Sequence, residues 1–424
     1  MGRWAGRALV VIFFALAVGV GLWQARPSRP ELQAVPAEEP VTFRRLEMMS
    51  PTEGWAVDEQ NRILRAGGGA ERWVQVTPEG VTASRELRLA AAFLDAQRAW
   101  VAFGMGGPEA GPFQVVATSD GGKTWETRGS IPVSDSTGGE ALGAVQLIFV
   151  DDEHGWFLGQ VHPGMHRVEP FLFATQDGGR TWELVMHTRP TEEAPASEKP
   201  FKGSYSTPYG PEVLAFVTPT RGLAGTGSLA LTTDGGRTWE AVDLPEPPNA
   251  PRLAEPYWYV RPPRFTSKGH GYVLADLYEY EDVACPPCDQ FLAQPKATYL
   301  YVTEDQGASW EVYACPQPGV TVVFRDARHG WLLAAQREEA GGGAALFGTD
   351  DRGLSWKSLA ERVPFTAQAR LSFLDAERGL AWEPEPGEGQ PALFVTRDGG
   401  KTWEAVEPRL VTLEAGAEGG RGGA

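Results

Sequence analysis

The sequence predicts an all-β protein: a seven-bladed β-propeller of four-stranded antiparallel blades, preceded by an N-terminal hydrophobic helix. Three observations carry this. A Thr-x-Asp-x-Gly-x-(Ser/Thr)-Trp motif recurs six times. A second motif, an apolar strand, a polar turn and then a Gly-aromatic step, recurs seven times. The motifs alternate at a spacing that fits one four-stranded blade per repeat.

The first motif occupies 118–125 (TSDGGKTW), 175–182 (TQDGGRTW), 232–239 (TTDGGRTW), 303–310 (TEDQGASW), 349–356 (TDDRGLSW) and 396–403 (TRDGGKTW). From Asp120 the steps to Asp177, Asp234, Asp305, Asp351 and Asp398 are 57, 57, 71, 46 and 47 residues. The second motif is clearest at 149–156 (FVDDEHGW), 324–331 (FRDARHGW) and 373–380 (FLDAERGL). Weaker copies lie at 48–55, 93–100, 216–223 and 265–272. The seventh partner of the first motif falls at 66–73 (AGGGAERW), which keeps Trp73 and lacks the Asp.

Each element has a physical rationale. A tight hairpin between the third and fourth strands needs positive φ near its tip, which Gly122, Gly179 and Gly236 allow. The Asp before the turn can accept the loop's own N–H groups. The Ser/Thr hydroxyl can close the same ring, and the Trp can pack the hairpin on its blade. The motif is therefore read as architecture, and its carboxylates Asp120, Asp177, Asp234, Asp305, Asp351 and Asp398 as structural.

Composition agrees. The chain has 424 residues, 51 Gly, 34 Pro and 15 Trp, with 42% hydrophobic residues, which suits many short strands and turns and argues against disorder. A net charge of −17 argues against nonspecific binding to nucleic acid or anionic lipid. At the N-terminus, Arg3 and Arg7 precede an apolar run from Ala8 to Trp23. Residues 1–26 are read as a signal peptide or a signal anchor, the positive flank inside and the rest of the chain outside. Membrane contact is expected only through this segment. Residues 27–40 are read as a Pro/Glu-rich linker, 41–410 as the propeller and 411–424 as a Gly-rich disordered tail.

The six boxes resemble the Asp-box repeats of bacterial neuraminidases, found also in sortilin-type receptors and two-propeller xyloglucan hydrolases. Together with the strand-turn motif, they more closely resemble the photosystem II stability/assembly factor-like propellers, over roughly residues 43 to 408. The resemblance implies the propeller fold. Its matched residues are fold residues, so function must be argued from sites.

Candidate chemistry is sparse. Eleven tryptophans belong to the two motifs, and Trp4 and Trp23 flank the apolar run. Only Trp258 and Trp382 are left without a structural assignment. A sialidase would need an Arg triad, a Tyr–Glu pair and an acid/base Asp, and the early Arg-Ile-Pro segment is absent. His162 and His166 sit in one loop around Pro163 and Gly164, a poor zinc site. Cys285, Cys288 and Cys315 fall in the fifth blade at one rim. In an oxidising compartment a disulfide between Cys315 and either Cys285 or Cys288 is expected. No metal and no cofactor are expected.

Long segments gather on the rim opposite the boxes: 188–209, 245–264 and 276–297, all in blades three to five. Long loops on a rigid scaffold commonly carry binding, and Tyr, Trp and Arg are frequent anchors. The candidate binding residues are Tyr257, Trp258, Tyr259, Arg261, Arg264, Tyr278 and Tyr280. The expected function is a non-catalytic, extracytoplasmic binding or assembly scaffold for a protein or envelope component, acting as a monomer. The alternative is a glycan-active hydrolase or glycan-binding propeller.

Overall fold

A computed structural model of the protein describes residues 39–411, apart from 82–83, 85–86, 106–110, 133–141, 165–166, 188–212, 227, 268, 280–293, 337–342 and 387–389. The expected N-terminal helix and the tail from 412 lie outside the described residues. The described residues form seven antiparallel blades, spanning 43–75, 88–131, 143–187, 214–241, 256–314, 321–363 and 370–406. Within each blade the strands pair in chain order. First strands are largely buried and fourth strands largely exposed, as in Arg88–Phe93 against Glu126–Ile131. The first strands therefore line the centre of the ring.

Every box folds as its residues dictate. In the Asp177 box, the carboxylate accepts the Thr175 hydroxyl (2.8 Å), the Thr181 amide (2.9 Å) and the Thr181 hydroxyl (2.6 Å). The Thr175 hydroxyl oxygen also accepts the Gly179 amide at 2.9 Å. Gly178 and Gly179 hold φ of 72° and 91°, a region costly for other residues. The other five boxes repeat the pattern. At Asp120 and Asp398, the hydroxyls of Thr124 and Thr402, seconded by their amides, pull the carboxyl pKa down to about 2.

The two motifs also join successive blades. The Gly-Trp indole of one blade donates to a box carbonyl of the next: Trp100 to Gly178 (3.1 Å), Trp156 to Gly235 (2.9 Å) and Trp331 to Gly399 (3.0 Å). The same indoles stack on the next blade's motif Phe, with Trp156–Phe216 and Trp331–Phe373 centroids both 3.6 Å apart. That Phe meets its own box Trp edge-on, as Phe216 does Trp239 at 6.1 Å. Edge-to-face pairs are favourable beyond area burial. Between blades four and five the aromatic is replaced by Leu223, and Arg221 bonds to the Gln306 carbonyl (2.9 Å) instead.

Blade one lacks its Asp, and its fourth strand takes on the task of closing the ring. Arg409–Leu410 pairs in parallel with Arg72–Trp73, and Glu39–Pro40 pairs with Arg409–Leu410. Glu39 is gripped by Arg62 (3.2 Å), which also holds buried Asp58 at 2.5 Å. The described part of the propeller thus includes Glu39 and Pro40. The last two residues assigned to the linker are a strand, because the terminal strand from Arg409 to Leu410 offers them an unpaired edge.

Candidate functional site

The candidate residues sit on blade five, whose first strand is broken by Pro262 and Pro263, which lack N–H donors. Pro256–Val260 pairs with Ala275–Glu279, and Arg264–Phe265 resumes pairing at Gly271–Tyr272. Tyr257, Trp258, Tyr259 and Tyr278 were expected in rim loops and are strand residues instead. The run of aromatic and β-branched residues favours extended pairing, and it carries this hairpin beyond the ordinary blade length.

Alternation then splits the set. Trp258 and Val260 face blade four, in the cluster that holds Leu223, Leu229 and Tyr299. Tyr257 and Tyr259 share the opposite face with Tyr278 and Asp276; the Tyr257 and Tyr278 rings are 6.3 Å apart. Burial pushes the Tyr257, Tyr259 and Tyr278 hydroxyls above the ordinary tyrosine pKa. Tyr278 is buried and Arg264 is exposed, on the far side of the proline break. Tyr280 lies outside the described residues.

Arg261 serves structure. Its guanidinium grips Asp276 through Nε and Nη2 (2.6 and 3.0 Å), and its Nη1 donates to the Val320 carbonyl at the entry to blade six at 2.7 Å. Burial opposes its charge, but Asp276 outweighs burial and raises the Arg261 pKa. Asp276 also accepts the Thr298 hydroxyl (2.5 Å), whose oxygen accepts the Gly319 amide (2.8 Å). The network ties blade five to blade six. The Cys315 thiol lies beside it, pushed up to about 12 mainly by burial. Cys285 and Cys288 lie outside the described residues, as do the side chain of His162 and all of His166.

Two features escaped the sequence reading. The first is a set of caps on the central strand edges. Arg44 and Arg45 of blade one donate to the Leu89 and Ala91 carbonyls of blade two (3.1 and 2.6 Å). Gln146 of blade three bonds the Leu214 carbonyl and amide of blade four (2.9 and 3.0 Å). The only described first-strand carboxylate is Glu47, itself paired with Arg45 at 2.5 Å. The second is uneven blade height. From the box-side turn, the second strand runs ten residues in blade three and nine in blade five, against five in blade four. The distance from each Gly-aromatic step to its box Thr carried that signal: 20 residues from Gly155, 32 from Gly271, but 10 from Gly222.

Between blades six and seven lies a cavity of about 280 Å³ lined by Phe365, Phe394, Thr366, Glu383 and Glu385. Glu383 is buried, and its carboxylate is occupied by the amide and hydroxyl of Thr366. Among the described residues no three His, Cys, Asp or Glu side chains group to hold a metal. No helix among them is long and apolar enough to cross a membrane.

The family described as BNR/Asp-box repeat matches residues 394–405, the last of the six boxes. A curated sialidase from Bacteroides fragilis is 24% identical over 201 residues, 43% of this chain and 34% of that protein. The chain thus spans about a third of that relative's length. Among solved structures, a GH74 enzyme from Niastella koreensis is 13% identical with a TM-score of 0.52, over 87% of this chain and 54% of the enzyme. YCF48 bound to a D1 peptide is 14% identical with a TM-score of 0.49, over 86% and 95% of the two chains. The chain carries the Asp-box repeat and the seven-bladed fold, and these structural likenesses concern the fold alone.

Proposed function

We propose that the chain is a non-catalytic binding and assembly scaffold, acting outside the cytoplasm, that engages a protein or envelope component through the rim opposite its boxes. One observation carries the reading. The described first strands hold one carboxylate, Glu47, tied to Arg45, and the box carboxylates are committed to their own turns. Hydrolysis of a glycoside ordinarily needs two carboxylates held at a defined separation, and the described first strands do not offer such a pair. The aromatic hairpin of blade five, held rigid by the Arg261–Asp276 pin, suits binding instead. The extracytoplasmic setting rests on the apolar run after Arg7.

The experiment is chemical crosslinking of the full-length chain in its native membranes, with crosslinks mapped by mass spectrometry. Crosslinks from a reproducible partner should concentrate on blades three to five. Crosslinks spread evenly around the ring would overturn the rim assignment. The likeness to a sialidase supports a second, glycan-directed reading. Release of reducing sugar from sialosides or xyloglucan by the purified chain would replace the scaffold reading with it.

A further inference from the structure

The joint between blades five and six is fastened differently from those closed by Trp100, Trp156 and Trp331. Its step aromatic is Tyr272, whose hydroxyl reaches the Val322 carbonyl at 3.3 Å and whose ring meets Phe324 edge-on, with centroids 5.1 Å apart. The box tryptophans Trp182, Trp239 and Trp403 donate to glycine carbonyls of their own boxes (3.1, 3.0 and 3.0 Å). In blade six, the buried Nε1 of Trp356 has no partner, although its ring packs edge-on to the same Phe324 at 6.3 Å. Ring packing thus takes the place of the indole bond here.

The turn of blade five has also lost its carboxylate. In blades three and six, Asp151 and Asp326 accept the amides of His154 and His329 and meet the Nδ1 of the same residues at 3.0 and 2.9 Å. In blade five Ser267 fills that slot and accepts the Gly269 and His270 amides (3.4 and 3.1 Å). His270 turns instead to the Thr266 hydroxyl at 2.8 Å and stands edge-on to Phe324 at 5.8 Å. It is 3% exposed, and its Nε2 has no partner. The charges facing it are Glu304 of blade five and Asp326 and Arg352 of blade six. Both carboxylates are engaged, Glu304 by Arg352 (2.8 Å) and Asp326 by Arg325 (2.5 Å) and His329 (2.9 Å).

We propose that this joint is a proton-operated seam: uptake of a proton at His270 loosens blade five from blade six while the other joints stay closed. The imidazolium carries N–H on both ring nitrogens, and a charge held beside Phe324 lacks both water and a counterion. Turning the ring out toward Glu304 or Asp326 satisfies it, but takes that carboxylate from Arg352 or Arg325 and withdraws the ring from Phe324. Burial lowers the His270 pKa below the ordinary 6.5, against the lesser pull of Glu304 and Asp326. The closed joint is therefore favoured above about 6.5 and gives way as pH falls from there. The seam stands whether or not blade five binds a partner.

The test is amide hydrogen exchange of the full-length chain in non-ionic detergent at pH 7.5 and 5.5, corrected for the pH dependence of intrinsic exchange. Protection at 321–331 and 349–356 should fall severalfold at pH 5.5, with a ceiling of about tenfold for a group of ordinary pKa 6.5. Protection at 214–217 and 232–239, across the joint that Trp156 closes, should hold. His270→Gln cannot take the proton and should abolish the change. Ser267→Asp restores the carboxylate that His154 and His329 possess, and should abolish it with the proton bound. Unchanged protection in the native chain, equal acid loosening at both joints, or loosening that survives His270→Gln would overturn the seam. Should His270→Gln fail to fold, Ser267→Asp decides, and loosening that persists in it rejects His270 as the group responsible.

Discussion

His270 shows how a repeat residue acquires a private chemistry. It fills the slot before the Gly of its strand-turn motif, as His154 and His329 do, yet it alone of the three is buried, at 3% exposure. Its Nδ1 meets the Thr266 hydroxyl at 2.8 Å and its Nε2 has no partner. Burial lowers its pKa below the ordinary 6.5, and Arg352 reinforces this against the opposing pull of Glu304 and Asp326. A histidine whose folded pKa is depressed binds its proton more readily when unfolded, so its contribution is intact above about 6.5 and is lost as pH falls from there. The box carboxylates act lower. Their folded pKa values near 2 at Asp120 and Asp398 keep stability present above the ordinary 3.8 and surrender it toward pH 2. Thermal melts across pH should therefore show two losses, one beginning below 6.5 and one between about 4 and 2. His270→Gln should remove the upper loss and leave the lower. A pH profile unchanged by that substitution would contradict the assignment.

At the scale of the element, the box and the Gly-Trp step are one device shared between neighbouring blades. The indole N–H of Trp156 ends on the Gly235 carbonyl while its ring stacks on Phe216, so one side chain fixes both the height and the tilt of blade four. Trp156→Phe keeps an aromatic ring and strands the carbonyl without its donor. The expected cost is about 1–3 kcal/mol, read as a lower denaturation midpoint with little change in the denaturant slope. The step from Gly155 to Trp156 and the box from Thr232 to Trp239 were both legible in the sequence. Their bond across 79 residues was not, because neither motif says which blade will lie against which.

For the whole molecule, closure is the decisive feature. Blade seven ends at Val406 in a complete four-stranded sheet, so the residues beyond it are spent on blade one. The Val41 amide donates to the Pro408 carbonyl (3.0 Å), Arg409 to Glu71 (2.8 Å) and Val411 to Trp73 (2.7 Å). Leu410 packs with Phe43, Trp73, Leu380 and Trp382, a cluster spanning the seam between the last blade and the first. A chain ending at Val406 should keep seven blades' worth of strand and lose the latch. Its melting temperature should fall by several degrees, and amide exchange should quicken selectively at 39–43 and 72–75. Uniform exchange around the ring, or an unchanged melt, would show that the seam holds without it.

The sequence by itself determined the number of blades, the four strands in each, the six boxes and the fate of their carboxylates, because these depend on contacts within a few residues of the chain. Thr175, Asp177, Gly179 and Thr181 satisfy one another whatever surrounds them. The sequence also placed Cys315 at the end of a fourth strand. Only the tertiary structure decided that Arg261 belongs to Asp276 and Val320, that Trp258 and Tyr259 face opposite ways, and that Glu39 is a strand. Each of these depends on a partner from a distant part of the chain. Arg261 and Trp258 looked alike as exposed anchors while the rim was read as loop. Strand pairing turned one inward to a buried carboxylate and left the other facing the low blade beside it, since alternation assigns faces only after the register is set.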